Sequence, residues 1–304
     1  MERFLKKHRW ELIYAVFLTS FTIYLGLDTF VLKKVYATVE KQTGTETDSK
    51  IAETEESSAE ATVSDSTYKD ENIEVAISHM REYDTSIYVA DVILSSPEYL
   101  QTALAQNVYG RNVTEKTSEI AESAGAILAI NGDYYGAQES GYVIRDGVLY
   151  RDTVREGQQD LVIYEDGTFG IISEEDVTAE ELLANNAKEV LSFGPALVTD
   201  GEVAVTEEDE VGKAMASNPR TAIGIIDELH YVFVVSDGRT EESEGLSLLE
   251  MAEFMKGLGV TTAYNLDGGG SSTLYFNGEI INQPTTDGKS IRERSVSDIV
   301  YIGY

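Results

Sequence analysis

Apolar positions along this chain change their spacing twice, and each change marks a different kind of structure. From Leu12 to Leu27 the chain carries no charge, and the apolar run continues past Asp28 through Thr29-Phe30-Val31-Leu32. As a helix, Trp10 to Leu32 is long enough to cross a hydrocarbon core of about 30 Å. Residues 33–70 then lose all periodicity. They are mostly Thr, Ser, Glu and Ala, with acid crowded at Glu53, Glu55, Glu56 and Glu60. Such a segment buries too little surface to offset its ordering entropy, so it reads as a disordered acidic linker. From residue 71 onward short alternating runs take over, such as Tyr142-Val143-Ile144 before Asp146-Gly147 and Val148-Leu149-Tyr150 after it. Asp-Gly recurs at 146, 166, 200, 237, 267 and 287, and Asn-Gly at 131 and 277. That is the signal of tight hairpins and antiparallel pairing.

Helical spacing is confined to three stretches of this region. Ser247 to Lys256 opens with a Ser247/Glu250 capping box and lines Leu248, Met251, Ala252 and Met255 along one stripe. Thr178 with Glu181 opens a similar helix through Asn185, and Glu115 to Ser123 forms the third. The pattern predicts an α+β class: mixed, mostly antiparallel sheets rich in hairpins, with a few packed helices, behind an N-terminal transmembrane helix. The divisions are a tail at 1–9, an anchor at 10–32, a linker at 33–70 and one domain at 71–304.

Two helices sit in matching contexts. One leads through Gly125 and an apolar strand to Asn131-x-Asp133, and the other through Gly259 and an apolar strand to Asn265-x-Asp267. Each glycine suits a helix C-cap, and each strand delivers Asn and Asp on one face. This is either a remnant duplication or two solutions to one turn problem. In both cases two parallel-type units would offer an Asn/Asp pair at a strand's C-terminal end.

The second pair opens the most informative stretch, Asn265-Leu266-Asp267-Gly268-Gly269-Gly270-Ser271-Ser272. Three successive glycines cost backbone entropy, and that cost suits a loop whose backbone approaches a ligand closely. N–H groups beside one carboxylate and two hydroxyls would hold an oxyanion next to an acid or base. The alternative is a bulged hairpin between the strands on either side.

This octet, with Thr273, resembles the signature of the phosphodiester glycosidase family. Ala129-Ile130-Asn131-Gly132-Asp133-Tyr134-Tyr135, Asn218-Pro219-Arg220-Thr221-Ala222-Ile223-Gly224, Val235-Ser236-Asp237-Gly238-Arg239 and Glu293-Arg294-Ser295-Val296 match in the family's order. The resemblance covers residues 71–304 and implies a hydrolase of sugar phosphodiesters; its bacterial members are associated with exopolysaccharide biosynthesis. One departure is Ser297-Asp298, where the family commonly has Ala-Asn. If that asparagine touches substrate, the carboxylate would alter specificity or repel a second anion.

Charge narrows the reading further. A formal net charge of −31 repels polyphosphate and makes nucleic acid an unsuitable partner. Any anionic substrate must therefore meet a local basic cluster, for which Arg220, Arg239 and Arg294 are the candidates, because a guanidinium bridges two phosphate oxygens. The catalytic candidates are Asp267, Asp133 and Arg220. The substrate-binding candidates are Asn131, Tyr135, Asp237, Arg239, Asn265, Gly268, Gly269, Gly270, Ser271, Ser272 and Arg294. Tyr135 is expected to pack against a pyranose face, with Tyr134 a candidate core residue. The residues alone do not divide acid, base and structural roles among Asp133, Asp237 and Asp267.

The chain has no cysteine and three histidines, so thiolate sites are impossible and a zinc site is disfavoured. No cofactor is implied, and a bound metal would be a hard cation such as calcium or magnesium held by oxygens. Gly288-Lys289-Ser290 resembles the end of a phosphate-binding loop, but Gln283 stands where that motif needs its first glycine. His79 and His230 fit no triad and read as structural.

Arg3, Lys6, Lys7 and Arg9 before the apolar run favour a cytoplasmic N-terminus, and Lys33 and Lys34 weaken that bias without reversing it. The competing reading is a cleaved signal peptide ending at Val35-Tyr36-Ala37; the length of the run favours an uncleaved anchor. The expectation is a single-pass membrane protein of a bacterial, Gram-positive surface, with its hydrolase domain outside. Its substrate would be a sugar-1-phosphodiester or related glycosidic bond in a surface polysaccharide or teichoic-acid-like polymer. The alternative is a non-catalytic glycan-binding or assembly factor in exopolysaccharide biosynthesis.

Overall fold

A computed structural model describes residues 9–39, 61–209 and 217–304. The chain begins with helix α1 (Arg9–Phe30), followed by strands β1 (Lys34–Thr38), β2 (Thr62–Val63), β3 (Thr67–Lys69), β4 (Ile73–Glu82) and β5 (Thr85–Leu94). Next come β6 (Leu100–Leu104), β7 (Val108–Arg111), helix α2 (Thr117–Ala124) and β8 (Ala126–Asn131). The middle of the chain forms β9 (Val143–Arg145), β10 (Val148–Arg151), β11 (Gln159–Tyr164), β12 (Phe169–Ser173), helix α3 (Ala179–Ala184) and β13 (Ala187–Leu191). It continues with β14 (Ala196–Thr199), β15 (Glu202–Val203), β16 (Arg220–Asp227) and β17 (His230–Ser236). Helix α4 (Leu248–Gly257), β18 (Thr262–Leu266), β19 (Leu274–Phe276), β20 (Glu279–Ile280) and β21 (Asp298–Gly303) complete it.

The long sheet runs β15-β14-β18-β16-β17-β5-β4-β3-β2. A second sheet runs β20-β19-β8-β21-β6, a third β10-β9-β13-β11-β12, and β1 pairs with β7 alone. Period-two alternation decides how they stack. Phe233 and Val235 face a core shared with Leu128, Ile130, Val300 and Ile302 of the second sheet and Leu161 and Ile163 of the third. Val232 and Val234 face the other way, against Met251, Ala252 and Met255 of α4. Ala129, Ile299 and Tyr301 likewise face Ile120, Ala121 and Ala124 of α2. The order is helix, sheet, sheet, helix.

Local chemistry explains the elements. The Thr178/Glu181 and Ser247/Glu250 capping boxes both form. Four of the eight Gly-containing turns close hairpins: Asp146-Gly147, Asp166-Gly167, Asp200-Gly201 and Asn277-Gly278. The first, third and fourth have positive φ at both residues, the conformation that matches strand twist.

Two expectations and one alternative need correction. All strand pairs among the described residues are antiparallel, so the units ending at Asn131 and Asn265 are not parallel-type. Nor is the glycine octet a hairpin: β18 belongs to the long sheet and β19 to the second, so the loop crosses between layers. The ordered region also extends into the expected linker, because β1, β2 and β3 pair with their neighbours. The acidic residues Glu53 to Glu60 lie outside the described residues.

Helix α1 is long and apolar enough to cross a membrane, and Phe17, Leu18 and Ile23 are exposed. Its C-terminal end is fastened to the domain. Asn112 Nδ2 donates to the carbonyls of Thr29 (3.3 Å) and Leu32 (3.2 Å), and Lys34 pairs with Asp28 at 2.7 Å.

The stacking makes a stability prediction. Phe233→Ala removes a ring from between the sheets and should lower the unfolding free energy by about 3–5 kcal/mol in a denaturant titration. A loss below ~1 kcal/mol would mean that the sheets do not close over this residue.

Candidate active site

Strands β8 and β18 end side by side, and Asn131 joins them. Its Oδ1 accepts from Thr221 Oγ1 (2.8 Å) and Thr273 N–H (3.2 Å), while its Nδ2 donates to the Asp267 carbonyl at 2.6 Å. The Asp267 N–H returns a bond to the Gly132 carbonyl at 3.3 Å. Asn131 is therefore a stitch between sheets, fully buried. Asn265 does the same for the next connection, donating from Nδ2 to the Gly194 carbonyl at 2.8 Å, and its Oδ1 is buried without a partner.

The glycines permit close packing around this junction. Gly269 has φ of +64°, and a methyl group there would meet the Arg239 guanidinium at 2.9 Å. At Gly270 it would run into Thr286. The loop N–H groups are largely used internally: Gly269 donates to Pro219 (2.8 Å), Ser271 to Gly268 and Ser272 to Gly269. The cradle of N–H groups expected for an anion is thus mostly occupied, and the donors left near the loop are side chains.

Those donors are arginines. Arg294 Nη2 lies 2.8 and 3.1 Å from the two oxygens of Asp267 and 3.1 Å from the Gly268 carbonyl, and its Nε donates to Ser271 Oγ at 2.8 Å. The Arg294 side chain is 40% exposed and that of Asp267 only 11%, so the carboxylate sits beneath the guanidinium. Arg239 is exposed, and is held by Asn218 Oδ1 and the Thr286 carbonyl beside Gly269. Burial pushes the Asp267 carboxyl above its ordinary value, and Arg294 and Ser271 pull it partway back. Ser272 Oγ is buried without a partner.

The other candidates stand back from this surface. Arg220 is buried; its Nε donates to the Leu246 carbonyl and its N–H to Ser236 Oγ, both at 2.9 Å. Asp237 accepts from Gln283 N–H, Asn282 Nδ2 and the Tyr88 hydroxyl, and burial raises its pKa. Because Asn282 also donates to the Ser272 carbonyl, Asp237 braces the exit of the glycine loop. Glu293 accepts from Ser118 N–H and Oγ, which ties the Glu-Arg motif to the first turn of α2.

Asp133 belongs to a different group. Its side chain is fully buried and accepts from Tyr135 N–H, Ser192 N–H and Arg145 Nη2, each at 2.9 Å. Asp298 takes the same guanidinium at 2.7 Å, and buried Glu189 is close enough to feel its charge. Burial first, and the Asp133 charge second, push Asp298 up to about 8. The departure at Asp298 thus answers to Arg145 and not to an exposed ligand surface. Tyr135 is 1% exposed, stacked on Tyr109 with ring centroids 5.4 Å apart and with the Arg145 guanidinium carbon 5.7 Å from its ring centre. Tyr134 is the tyrosine that faces solvent, at 42%, the reverse of the expected order. Arg145 was not among the sequence candidates; the unusual carboxylate at 298, read there as a change of specificity, is the one signal in the sequence that leads to it. Among the described residues no three His, Asp or Glu side chains group as a metal site.

This buried group sets a pH dependence. Asp298 keeps its proton in the folded state up to about 8, whereas its ordinary value is 3.8. Between those values the unfolded chain has released a proton that the folded chain still holds, so rising pH favours unfolding. Asp298→Asn has no such proton, and Glu189 is common to both proteins. The melting temperature of the variant relative to wild type should therefore climb from pH 4 to pH 8. A constant difference across that range would contradict the assignment.

Comparison with known proteins agrees with this architecture. The catalytic domain of zebrafish N-acetylglucosamine-1-phosphodiester α-N-acetylglucosaminidase, auto-inhibited by its pro-peptide, superposes with a TM-score of 0.61 at 23% identity, over 90% of this chain and 89% of that one. A hypothetical protein from Synechocystis superposes with a TM-score of 0.53 at 16% identity, over 77% of this chain and 62% of that one. In sequence, a prophage-derived uncharacterized protein of Bacillus subtilis is 30% identical over 201 residues, 64% of this chain and 31% of its own length. The mouse N-acetylglucosamine-1-phosphodiester α-N-acetylglucosaminidase is 32% identical over 184 residues, 55% of this chain and 35% of its own. The chain thus spans about a third of the length of these curated relatives. The family model for phosphodiester glycosidases matches residues 124–303, more than half of the chain, and the chain belongs to that family.

Proposed function

We propose that this chain is a membrane-anchored, extracytoplasmic hydrolase that cleaves the bond between a sugar and a phosphodiester in a surface polysaccharide or teichoic-acid-like polymer. The observation that carries the reading is the Asp267 carboxylate, buried beneath the partly exposed Arg294 guanidinium in a loop whose Gly269 packs against Arg239. In such a bond the leaving group is a phosphate ester, which departs as a stabilised anion. The site then needs cationic stabilisation of that anion more than an acid to protonate it. Arg294 and Arg239 supply two guanidiniums on the solvent side of the loop, in a chain whose net charge of −31 otherwise repels phosphate.

In this reading Asp267 works in its ionised form, either activating water or attacking directly. Asn131, Asn265 and the three glycines fix its position, and Ser271 orients Arg294 through the Nε contact. Asp133, Arg220 and Asp237 are positioning residues in this reading: the two carboxylates accept from buried donors, and Arg220 is itself buried with its Nε on the Leu246 carbonyl. The name of the mouse relative, an enzyme for N-acetylglucosamine 1-phosphodiesters, supports the substrate class. Helix α1 with its preceding basic residues supports the anchor and the outward orientation.

The full chain in detergent, given chromogenic sugar phosphodiesters, should release free sugar. Asp267→Asn keeps shape and loses charge, so it should lower kcat by on the order of 10²-fold with little change in KM. Arg239→Gln should raise KM for phosphodiesters more than for neutral aryl glycosides. Tight binding without released sugar would instead favour a glycan-binding or assembly factor. For topology, an impermeant label on intact cells should reach a cysteine placed at an exposed position after residue 61 and miss one placed before residue 9. The opposite labelling would overturn the orientation.

A further inference from the structure

A concavity of about 210 Å³ lies away from the glycine loop and shares no lining residue with it. Tyr36 of β1, Tyr109 and Arg111 of β7, Tyr135, Glu139 and Arg151 of β10 form its walls. We propose that it is a binding subsite for a phosphorylated monosaccharide presented at the membrane surface.

Charge is the first reason. Arg151 is fixed by three carbonyls, its Nε on Gly141 and its Nη1 on Tyr135 and Gln138. No carboxylate lies within ion-pair distance of it among the described residues, so a preoriented positive charge stands uncompensated in a strongly acidic protein. Among the described residues Arg111 pairs only with Glu139, whose side chain is 75% exposed, and the Arg111 Nε is buried without a partner. The guanidinium is mostly buried while the Glu139 end of the pair is solvated and free to swing away, so an incoming anion can take the place of Glu139. A phosphate between Arg111 and Arg151 would satisfy both guanidiniums.

Shape is the second reason. The cavity has room for roughly seven waters at about 30 Å³ each, the scale of one sugar unit and not of a polymer segment. Tyr36 is 61% exposed and offers an aromatic face, while Tyr109 is backed by Tyr135 and Tyr150 and holds the wall rigid. An aromatic face beside charged donors suits a pyranose that carries a charged group, apolar on one side and polar at its rim.

Position is the third. Lys34 and Val35 of β1 pair with Arg111 and Gly110 of β7, only a few residues after the end of α1. Asn112, next to Arg111, holds the last carbonyls of the helix. If α1 spans the bilayer, the subsite sits beside its outer end, where a headgroup carried on a lipid can reach it. The anchor reading enters only at this step; the ligand chemistry rests on the cavity itself.

The test is calorimetric titration of the full chain in neutral-lipid nanodiscs with glucose 1-phosphate, with glucose, and with a lipid-linked glucose phosphate doped into the disc. Arg111→Gln should weaken glucose 1-phosphate about tenfold or more, the value of one charge-assisted hydrogen bond, and leave glucose nearly unchanged. Tyr36→Ala, at an exposed position that does not threaten folding, should weaken both ligands. Arg239→Gln, at the glycine loop, should retain the binding that these two variants lose. Tighter binding of the lipid-linked form than of the free form supports presentation from the membrane, and equal binding overturns that part. If wild type, Arg111→Gln and Tyr36→Ala titrate alike, or all binding disappears in Arg239→Gln, the subsite does not exist. Failure of the hydrolase reading would appear separately, as absent turnover.

Discussion

The hydrogen bond from the Asn131 side chain to the Asp267 carbonyl is the constraint on which the site depends. Asn131 ends a strand of one sheet, Asp267 follows a strand of another, and Thr221 and Thr273 complete the stitch. Without it, a loop with three glycines would have many conformations available and no reason to hold a carboxylate beneath an arginine. Closure of the two layers also explains why so many of the family's motif residues are buried. Much of the motif set builds the platform, and around the loop Arg294, Arg239 and the edge of Asp267 face outward.

Charge is distributed by the same logic. The surface repels anions, so attraction must be local, and it is concentrated in arginines held by neutral carbonyls and side-chain amides. Inside, one guanidinium serves two carboxyl groups, and burial settles the imbalance by keeping Asp298 protonated below about 8. A second buried carboxyl, Asp160, is pushed up to about 9 by burial and by its neighbour Glu174. These groups lie beneath the sheets and make the interior sensitive to pH without taking part at the loop.

Helix starts, capping boxes and four hairpin turns were legible in the sequence, because each is set by residues within a few positions of one another. The sheet to which a strand belongs was not, and so the octet could be taken for a hairpin or a parallel-type unit. Asp133 and Asp267 show the limit most clearly. Both stand in the same Asn-x-Asp context after a glycine-capped helix and a strand. One meets Arg145 from a hairpin inside the core, and the other meets Arg294 from a distant loop at the surface. No local pattern distinguishes them, since the partner decides the role. Tyr134 and Tyr135 reverse their expected places for a similar reason: the stack with Tyr109 depends on β7, which the motif does not contain.

In the proposed reaction Asp267, held above its ordinary pKa by burial and partly restored by Arg294, governs turnover in its ionised form. The pH dependence of kcat/KM for a sugar phosphodiester reports that group in the free protein. An ionised Asp267 gives an acidic limb whose midpoint lies above the ordinary carboxylate range, with activity rising as pH rises. Replacing Arg294 by Gln should move that midpoint to higher pH, because the carboxylate loses the cation that favours its charge. A midpoint that stays in place when Arg294 is removed would show that some other group controls the reaction.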